Sequence, residues 1–248
     1  MKISIITVVY NREATIERAV NSVLSQSYSD IEYIVIDGGS SDRTLDILGN
    51  YKERIDHFVS EKDKGIYDAI NKGIELSTGE IIGLLHSDDV FSSDKIIEEV
   101  VSHFQGDHLI DCIYGDVAFI NPDKGNRVVR YYSSATFTPK KFLRGFMPAH
   151  TSFFCKKECF NSYGNYSLDY TISSDFDLLL RFLLIHKIKS KYVPLCITNM
   201  ALGGESTAGF SVTFRINRQI LKILKSNGIS SNYFKLYSRY FEKIGEYF

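Results

Sequence analysis

The chain has 248 residues, 44% of them apolar and 24% charged, with a formal net charge of -1. That length fits one large α/β domain with at most a small appendage, and that charge excludes a general nucleic-acid binder, which carries a basic excess. The four prolines are too few for long Pro-rich linkers. Cys112, Cys155, Cys159 and Cys196 form no C-x-x-C pair. A zinc site and a disulfide framework are therefore not expected, and the thiols read as buried and free in a reducing cytosol. The apolar start, Met1 to Tyr10, is too short for a signal peptide or a membrane span, so the expectation is a cytoplasmic protein.

In chain order, Lys2 to Val9 is continuous and β-branched and predicts a central parallel strand. Asn11 can cap the helix that follows, whose stripe is Ile16, Val20, Val23 and Leu24. Glu32 to Ile36 predicts a second buried strand. It runs into the polar turn Asp37-Gly38-Gly39-Ser40-Ser41-Asp42 and a helix from about Arg43 to Tyr51. His57 to Ser60 is a short third strand, and the loop Glu61 to Lys64 leads into a helix from about Ile66 to Leu76. The stretch Glu80 to Asp89 then reads as a core strand ending in two carboxylates, Asp88 and Asp89. Alternating strands and helices over residues 1–90 predict a parallel sheet with right-handed crossovers.

That pattern brings Tyr10-Asn11, Asp37 and Asp88-Asp89 to one edge of the sheet, where open α/β folds bind ligands. Paired carboxylates on a rigid strand end suit a hard divalent cation, Mg²⁺ or Mn²⁺. An Asp-rich turn capping the next helix is the plainer alternative. The chain has no G-x-x-x-x-G-K-[ST] and no G-x-G-x-x-G, and its Gly38-Gly39-Ser40 turn lacks the final Gly of a nucleophile elbow.

The second half predicts a helix from Ser93 to Phe104 and a hairpin of Cys112–Ile120 with Arg127–Tyr131. A short strand at Thr151–Cys155, a helix at Ser174–His186 and a last strand at Lys191–Met200 follow. Antiparallel additions would make the sheet mixed. Residues 214–248 read as two helices split at Asn227-Gly228, with seven Lys and Arg against two Glu. Such a basic, aromatic tail either lies on an anionic membrane surface or packs on the core with a solvated basic face.

Four motifs stand in register: Thr7-Val8-Val9-Tyr10-Asn11; Ile36-Asp37-Gly38-Gly39-Ser40-Ser41-Asp42-Arg43-Thr44; Asn71-Lys72-Gly73 with Thr78-Gly79-Glu80; and Ser87-Asp88-Asp89. In order and spacing they resemble the family 2 glycosyltransferases, closely over residues 1–110 and loosely beyond. Gly203-Gly204-Glu205-Ser206 resembles a bacterial polysaccharide-assembly branch of that family. The resemblance implies a Rossmann-like GT-A α/β fold, with a mixed, mostly parallel sheet flanked by helices. It divides the chain into a nucleotide-sugar half (1–110), an acceptor half (111–210) and a helical extension (211–248).

It also implies a nucleotide-diphosphate sugar donor, a divalent metal (Mg²⁺ or Mn²⁺) and inverting transfer to a saccharide or polyprenyl-linked acceptor in cell-surface polysaccharide biosynthesis. By the family's pattern Asp89 is the metal ligand, Asp88 meets the ribose side, and Asp37 accepts a hydrogen bond from the base. Thr7, Tyr10 and Asn11 line the base and ribose pocket, and Asp63 and Asn71 stand on the donor side. Turn-capping is the alternative role for Asp37 and Asp63. Ile70 stands where many members carry Arg, which shifts the pyrophosphate contact toward Lys64 or Lys72.

Asp175 is the candidate general base for the acceptor hydroxyl, with Asp177 its rival. His150 is a candidate for the acceptor loop, and His86 replaces a common Asn. Two other classes compete: a non-catalytic nucleotide- or sugar-binding module, which needs neither metal ligand nor base, and a nucleotidyltransferase. The latter normally has a basic, glycine-rich loop after the first strand, unlike Tyr10-Asn11-Arg12-Glu13.

Overall fold

A computed structural model describes residues 1–121, 125, 127–201 and 210–242. The Gly203–Ser206 motif, Lys243 and Tyr247 lie outside the described residues. Strand β1 (Ile3–Val9) is buried along its whole length, as expected of a β-branched run covered on both faces. It pairs in parallel with β2 (Ile31–Asp37) and with β4 (Ile81–Leu84), and β2 pairs in parallel with β3 (His57–Ser60).

Helices cover both faces of this sheet. Against one face, helix α3 (Ile66–Leu76) buries Ile70 and Ile74 on Ile6, Ile34 and Ile82. A Cβ at Gly73 would meet Ile6 Cγ2 at 2.4 Å, so the glycine permits this close approach. Against the other face, α1 (Ile16–Leu24) and α4 (Ile96–Gly106) pack on Ile3, Ile5, Tyr33 and Val35. Helix α2 (Thr44–Gly49) adds Leu48 to that layer.

The second half extends the sheet. Strand β8 (Phe153–Lys156) pairs antiparallel with β4 and with β6 (Cys112–Asn121), and β9 (Ser190–Ala201) runs parallel to β6. The order is β3-β2-β1-β4-β8-β6-β9-β5, with β7 (Arg127–Tyr132) on β6. One strand and one α-helix escaped the sequence pattern, as did the 3-10 helices Lys52–Arg54 and Pro139–Arg144. Strand β5 (Val90–Phe91) is two residues long and exists through its pairing with β9. Helix α5 (Lys157–Tyr163) follows β8 without a loop. The helix expected over Ser174–His186 is α-helical as α6 (Ser174–Leu180) and continues as a π turn over Arg181–Ile185.

Asn11 does not cap α1. It sits at φ 50° and its side chain accepts the Ser41 N–H, so the helix begins later, after Thr15. Helices α7 (Phe210–Ser226) and α8 (Tyr233–Glu242) pack on the core through Ile220, Ile223, Leu224 and Leu236. Cys112, Cys155 and Cys159 are buried free thiols, and Cys196 is half-buried.

At the N-terminal end of the sheet, buried Glu32 ties β2 to β1 and to the loop that leads into β4. It accepts hydrogen bonds from Ser4 Oγ, Thr78 Oγ1 and the Thr78 N–H. Burial alone would raise its pKa, but these donors win and hold it down at about 2 against an ordinary 4.5. A carboxylate depressed in the folded state stabilises the protein above its unfolded pKa, and that contribution is lost as pH falls toward the folded value. Glu32→Gln is expected to cost on the order of 2–3 kcal/mol near neutral pH. In urea melts its deficit should shrink as pH drops from 4.5 toward 2.

Candidate active site

Parallel register sets the site. Val9 lies beside Asp37 and Asp37 beside Ser60, so the chain leaves β1, β2 and β3 at one edge. Tyr10 stands exposed there. The Asn11 N–H donates to Ser40 Oγ at 2.8 Å, joining the first two loops. Thr7 is fully buried, and its hydroxyl accepts from Tyr33 OH at 3.1 Å.

Asp37 is also fully buried. Its carboxylate accepts the N–H groups of Gly39 and Ser40, both at 3.0 Å, and the hydroxyls of Ser40 and Ser60. It therefore braces the glycine turn, the alternative considered from the sequence. The carboxylate beside that turn is Asp63. One oxygen accepts the Gly65 N–H at 2.8 Å. The other lies where a side chain at Gly38 would project, 2.4 Å from the position a Cβ would take.

Asn71 is held elsewhere: its amide pairs in both directions with the Tyr166 backbone, at 2.8 and 3.0 Å, and pins the loop ahead of α6. The Lys72 ammonium is engaged by Glu61 at 2.7 Å and Asp68 at 3.6 Å.

The strand expected over Glu80–Asp89 stops at Leu84, and the acidic pair sits in the turn between β4 and β5. The Asp88 carbonyl accepts Arg18 at 2.8 Å, which anchors the turn to α1. Asp89 is 2% exposed, and its Oδ1 accepts the Ala201 N–H at 3.3 Å. Its Oδ2 is buried with no hydrogen-bond partner. Burial first, and the neighbouring Asp88 charge second, push the Asp89 carboxyl well above its usual range. A buried, orphaned carboxylate oxygen is costly unless a cation meets it. Among the described residues no three metal-ligating side chains converge. One carboxylate completed by substrate phosphates is nonetheless a normal Mg²⁺ arrangement, so the residues fit a divalent cation brought together with a phosphorylated ligand.

Across the cleft, Asp175 opens helix α6. Its Oδ1 accepts the Phe176 N–H at 2.8 Å, and burial pushes its pKa up to about 6. The rival Asp177 is instead paired with Arg181 at 2.9 Å. Gln219 of α7 accepts the Ile172 and Ser173 N–H groups, so the C-terminal helices steady the turn that delivers Asp175. The structure joins the two sides through histidines: His86 Nε2 lies 2.9 Å from His150 Nε2, and His150 Nδ1 lies 3.4 Å from Asp175 Oδ2.

Comparison with known proteins agrees with this architecture. The model of the family described as glycosyl transferase family 2 matches residues 4–164. An uncharacterised glycosyltransferase of Mycobacterium tuberculosis is 33% identical over 186 residues, 74% of this chain and 69% of the relative. A PGL/p-HBAD biosynthesis glycosyltransferase of Mycobacterium bovis is 27% identical over 201 residues, 79% of this chain and 75% of the relative. Among solved structures, S. aureus TarS 1-349 in complex with UDP-GlcNAc superposes with a TM-score of 0.68 at 17% identity, over 90% of this chain and 66% of that one. The mannosyltransferase PcManGT of Pyrobaculum calidifontis, in complex with GDP-Man and Mn²⁺, gives 0.67 at 14% identity, over 93% and 65%. The chain thus spans about two thirds of those solved chains. The fold is the expected GT-A type, with a mixed sheet flanked by helices. The chain is a glycosyltransferase and belongs to glycosyl transferase family 2.

Proposed function

We propose that the protein transfers a sugar, with inversion, from a nucleotide-diphosphate sugar to a hydroxyl of a saccharide or polyprenyl-linked acceptor in cell-surface polysaccharide biosynthesis. The observation that carries this reading is a pair of buried carboxylates with different partners. Burial raises both, but Asp89 keeps an orphaned oxygen, while Asp175 is raised only to about 6 and accepts the Phe176 N–H at the start of a helix. One is open to a cation and the other can take a proton near neutral pH, a division of chemical labour. In this reading residues 1–110 hold the donor, 111–210 the acceptor, and 211–248 form an extension. Solved neighbours contain UDP-GlcNAc and GDP-Man, which supports the donor class.

Asp89 would hold the divalent cation. When bound, that cation supplies Lewis-acid stabilisation of the departing diphosphate. The chain's own residues do the rest. Asp88, Tyr10 and the Gly38–Ser40 turn flank the ribose and base, and Asp63 offers a carboxylate beside Gly38. The acceptor hydroxyl attacks the anomeric carbon opposite the diphosphate. The new C–O bond forms as the bond to the diphosphate oxygen breaks, and Asp175 takes the hydroxyl proton. A single displacement inverts the anomeric centre.

We also propose that the C-terminal helices rest on an anionic membrane surface. Residues 210–241 carry six Lys and Arg and no Asp or Glu, and all of the six but the buried Arg239 are exposed. Phe214, Tyr233 and Tyr237 are exposed, and Phe234 is 85% exposed. Exposed aromatic and cationic side chains complement an interface of anionic lipid. No helix among the described residues is long and apolar enough to cross a membrane. Peripheral attachment at the inner face is the form this contact would take.

Two outcomes are expected. Against a panel of saccharide acceptors, nucleotide release should rise with pH through a midpoint near 6, because Asp175 accepts a proton only when ionised. Asp175→Asn should lower kcat by roughly 10²–10⁴-fold with donor binding retained; an undiminished rate would remove Asp175 as the base. In sedimentation assays the protein should pellet with phosphatidylglycerol vesicles, not with phosphatidylcholine, and release in about 0.5 M salt. The exposed double change Phe234→Ser with Lys235→Glu should weaken that binding without altering the melting temperature.

A further inference from the structure

His86 stands two residues past the end of β4 and turns its ring toward the short 3-10 turn His150–Ser152. The two rings lie 5.1 Å apart at 54°, with Nε2 facing Nε2 at 2.9 Å. On its far side His150 presents Nδ1 to Asp175. Burial pushes His150 down to about 4, and burial followed by the His150 neighbour pushes His86 down to about 3. Two ring nitrogens 2.9 Å apart have room for one hydrogen between them, so one ring donates from Nε2 and the other accepts there.

Only one proton pattern then satisfies the chain. An ionised Asp175 accepts and cannot donate, so His150 carries its hydrogen on Nδ1. Its Nε2 is left as an acceptor, so His86 carries its hydrogen on Nε2. The other groups facing Asp175 do not supply this contact. The Tyr67 hydroxyl of α3 reaches the other oxygen, Oδ1, with a long bond at 3.4 Å, its shorter contact being with the Ile172 carbonyl at 2.6 Å. Tyr166 stacks on Tyr67 with centroids 5.7 Å apart, and burial and the Asp175 charge keep its phenol protonated.

We propose that His86 and His150 form a brace for Asp175: His86 fixes His150 in its Nδ1–H tautomer, and that N–H orients the carboxylate toward the acceptor hydroxyl. His150 is thus a positioning residue rather than an acceptor contact. This rests on the reading of Asp175 as the base. The Phe176 N–H bonds Oδ1, while His150 Nδ1 stands 3.4 Å from Oδ2, longer than a full hydrogen bond, so Oδ2 keeps room for the acceptor's proton and the contact tightens when the acceptor binds. No proton travels along the imidazoles. The brace also explains the His at position 86. It stands two residues before Asp88, so the strand end that meets the donor also sets the angle of the base.

The test needs neither donor nor acceptor. Long-range ¹H–¹⁵N spectra of the histidine-labelled full chain report the tautomer of each of its six histidines. His150 is expected as Nδ1–H and His86 as Nε2–H at pH 7. The Asp175 carboxyl is then titrated by ¹³C NMR in wild type, His150→Asn and His150→Phe. Losing the donor should raise the Asp175 midpoint by roughly half a unit or more in His150→Phe. Asn, which places an N–H where Nδ1 stood, should restore the wild-type value. Finding His150 as Nε2–H or charged would overturn the brace, as would an Asp175 midpoint unmoved in both variants. The wild-type tautomers decide the matter if His150→Phe fails to fold. Failure of the transferase reading would instead appear as wild-type inactivity, which these spectra do not depend on.

Discussion

Parallel pairing of β1 with β2 and β4 is the constraint from which the site follows. It forces three strand ends, with Tyr10, Asp37 and the Asp88–Asp89 pair, onto one edge of the sheet. Everything that handles a ligand is then a matter of which side chains those ends carry. Glu32 secures the opposite end of the same strands, so their alignment is fixed at the base and used at the top. The second half of the chain attaches through β8, which pairs with β4 and so ties the strand before the acidic pair to the 3-10 turn that carries His150.

The site gathers ionisable groups that a purely stable protein would avoid. Asp89, Asp175, His86 and His150 all lie in surroundings that penalise their charged forms. Elsewhere the fold satisfies its buried carboxylates: Asp37 with four donors, Asp116 with Tyr131, Tyr192 and Ser134, and Asp177 with Arg181. The contrast separates carboxylates that hold the structure from those kept for a ligand or a proton. Asp37 braces its own turn, and the Asp63 carboxylate lies beside Gly38.

Much of this was legible in the sequence, and the limits have physical causes. The β-branched runs at Ile3–Val9 and Ile31–Asp37, and the amphipathic Ile66–Leu76, were found because local pattern and tertiary burial agree there. Strand β5 was missed because two residues carry no period. Helix α5 was missed because it follows a strand with no turn residue between them. Asp88, Asp89 and Asp175 stood out as strand-end and helix-start carboxylates. What could not be read was closure between distant side chains. The contacts of His86 with His150 and of Asn71 with Tyr166 span 64 and 95 positions and leave no local signal. His86 standing in place of Asn was the one visible hint.

The central claim is that Asp89 is left unsatisfied so that a cation and a donor diphosphate can complete it. The most direct measurement is thermal unfolding of wild type and Asp89→Asn with UDP, GDP or dTDP, with and without Mn²⁺. Binding to the folded state alone raises the melting temperature by mass action. The expected result is that one nucleotide stabilises wild type only when Mn²⁺ is present. Asp89→Asn, relieved of a buried unpaired carboxylate, should melt roughly 2–4 °C higher than wild type when free of ligand and show no metal-dependent rise. Equal stabilisation of both proteins by nucleotide and Mn²⁺, or none under any condition, would contradict the assignment of Asp89 and return the acidic pair to the role of a turn.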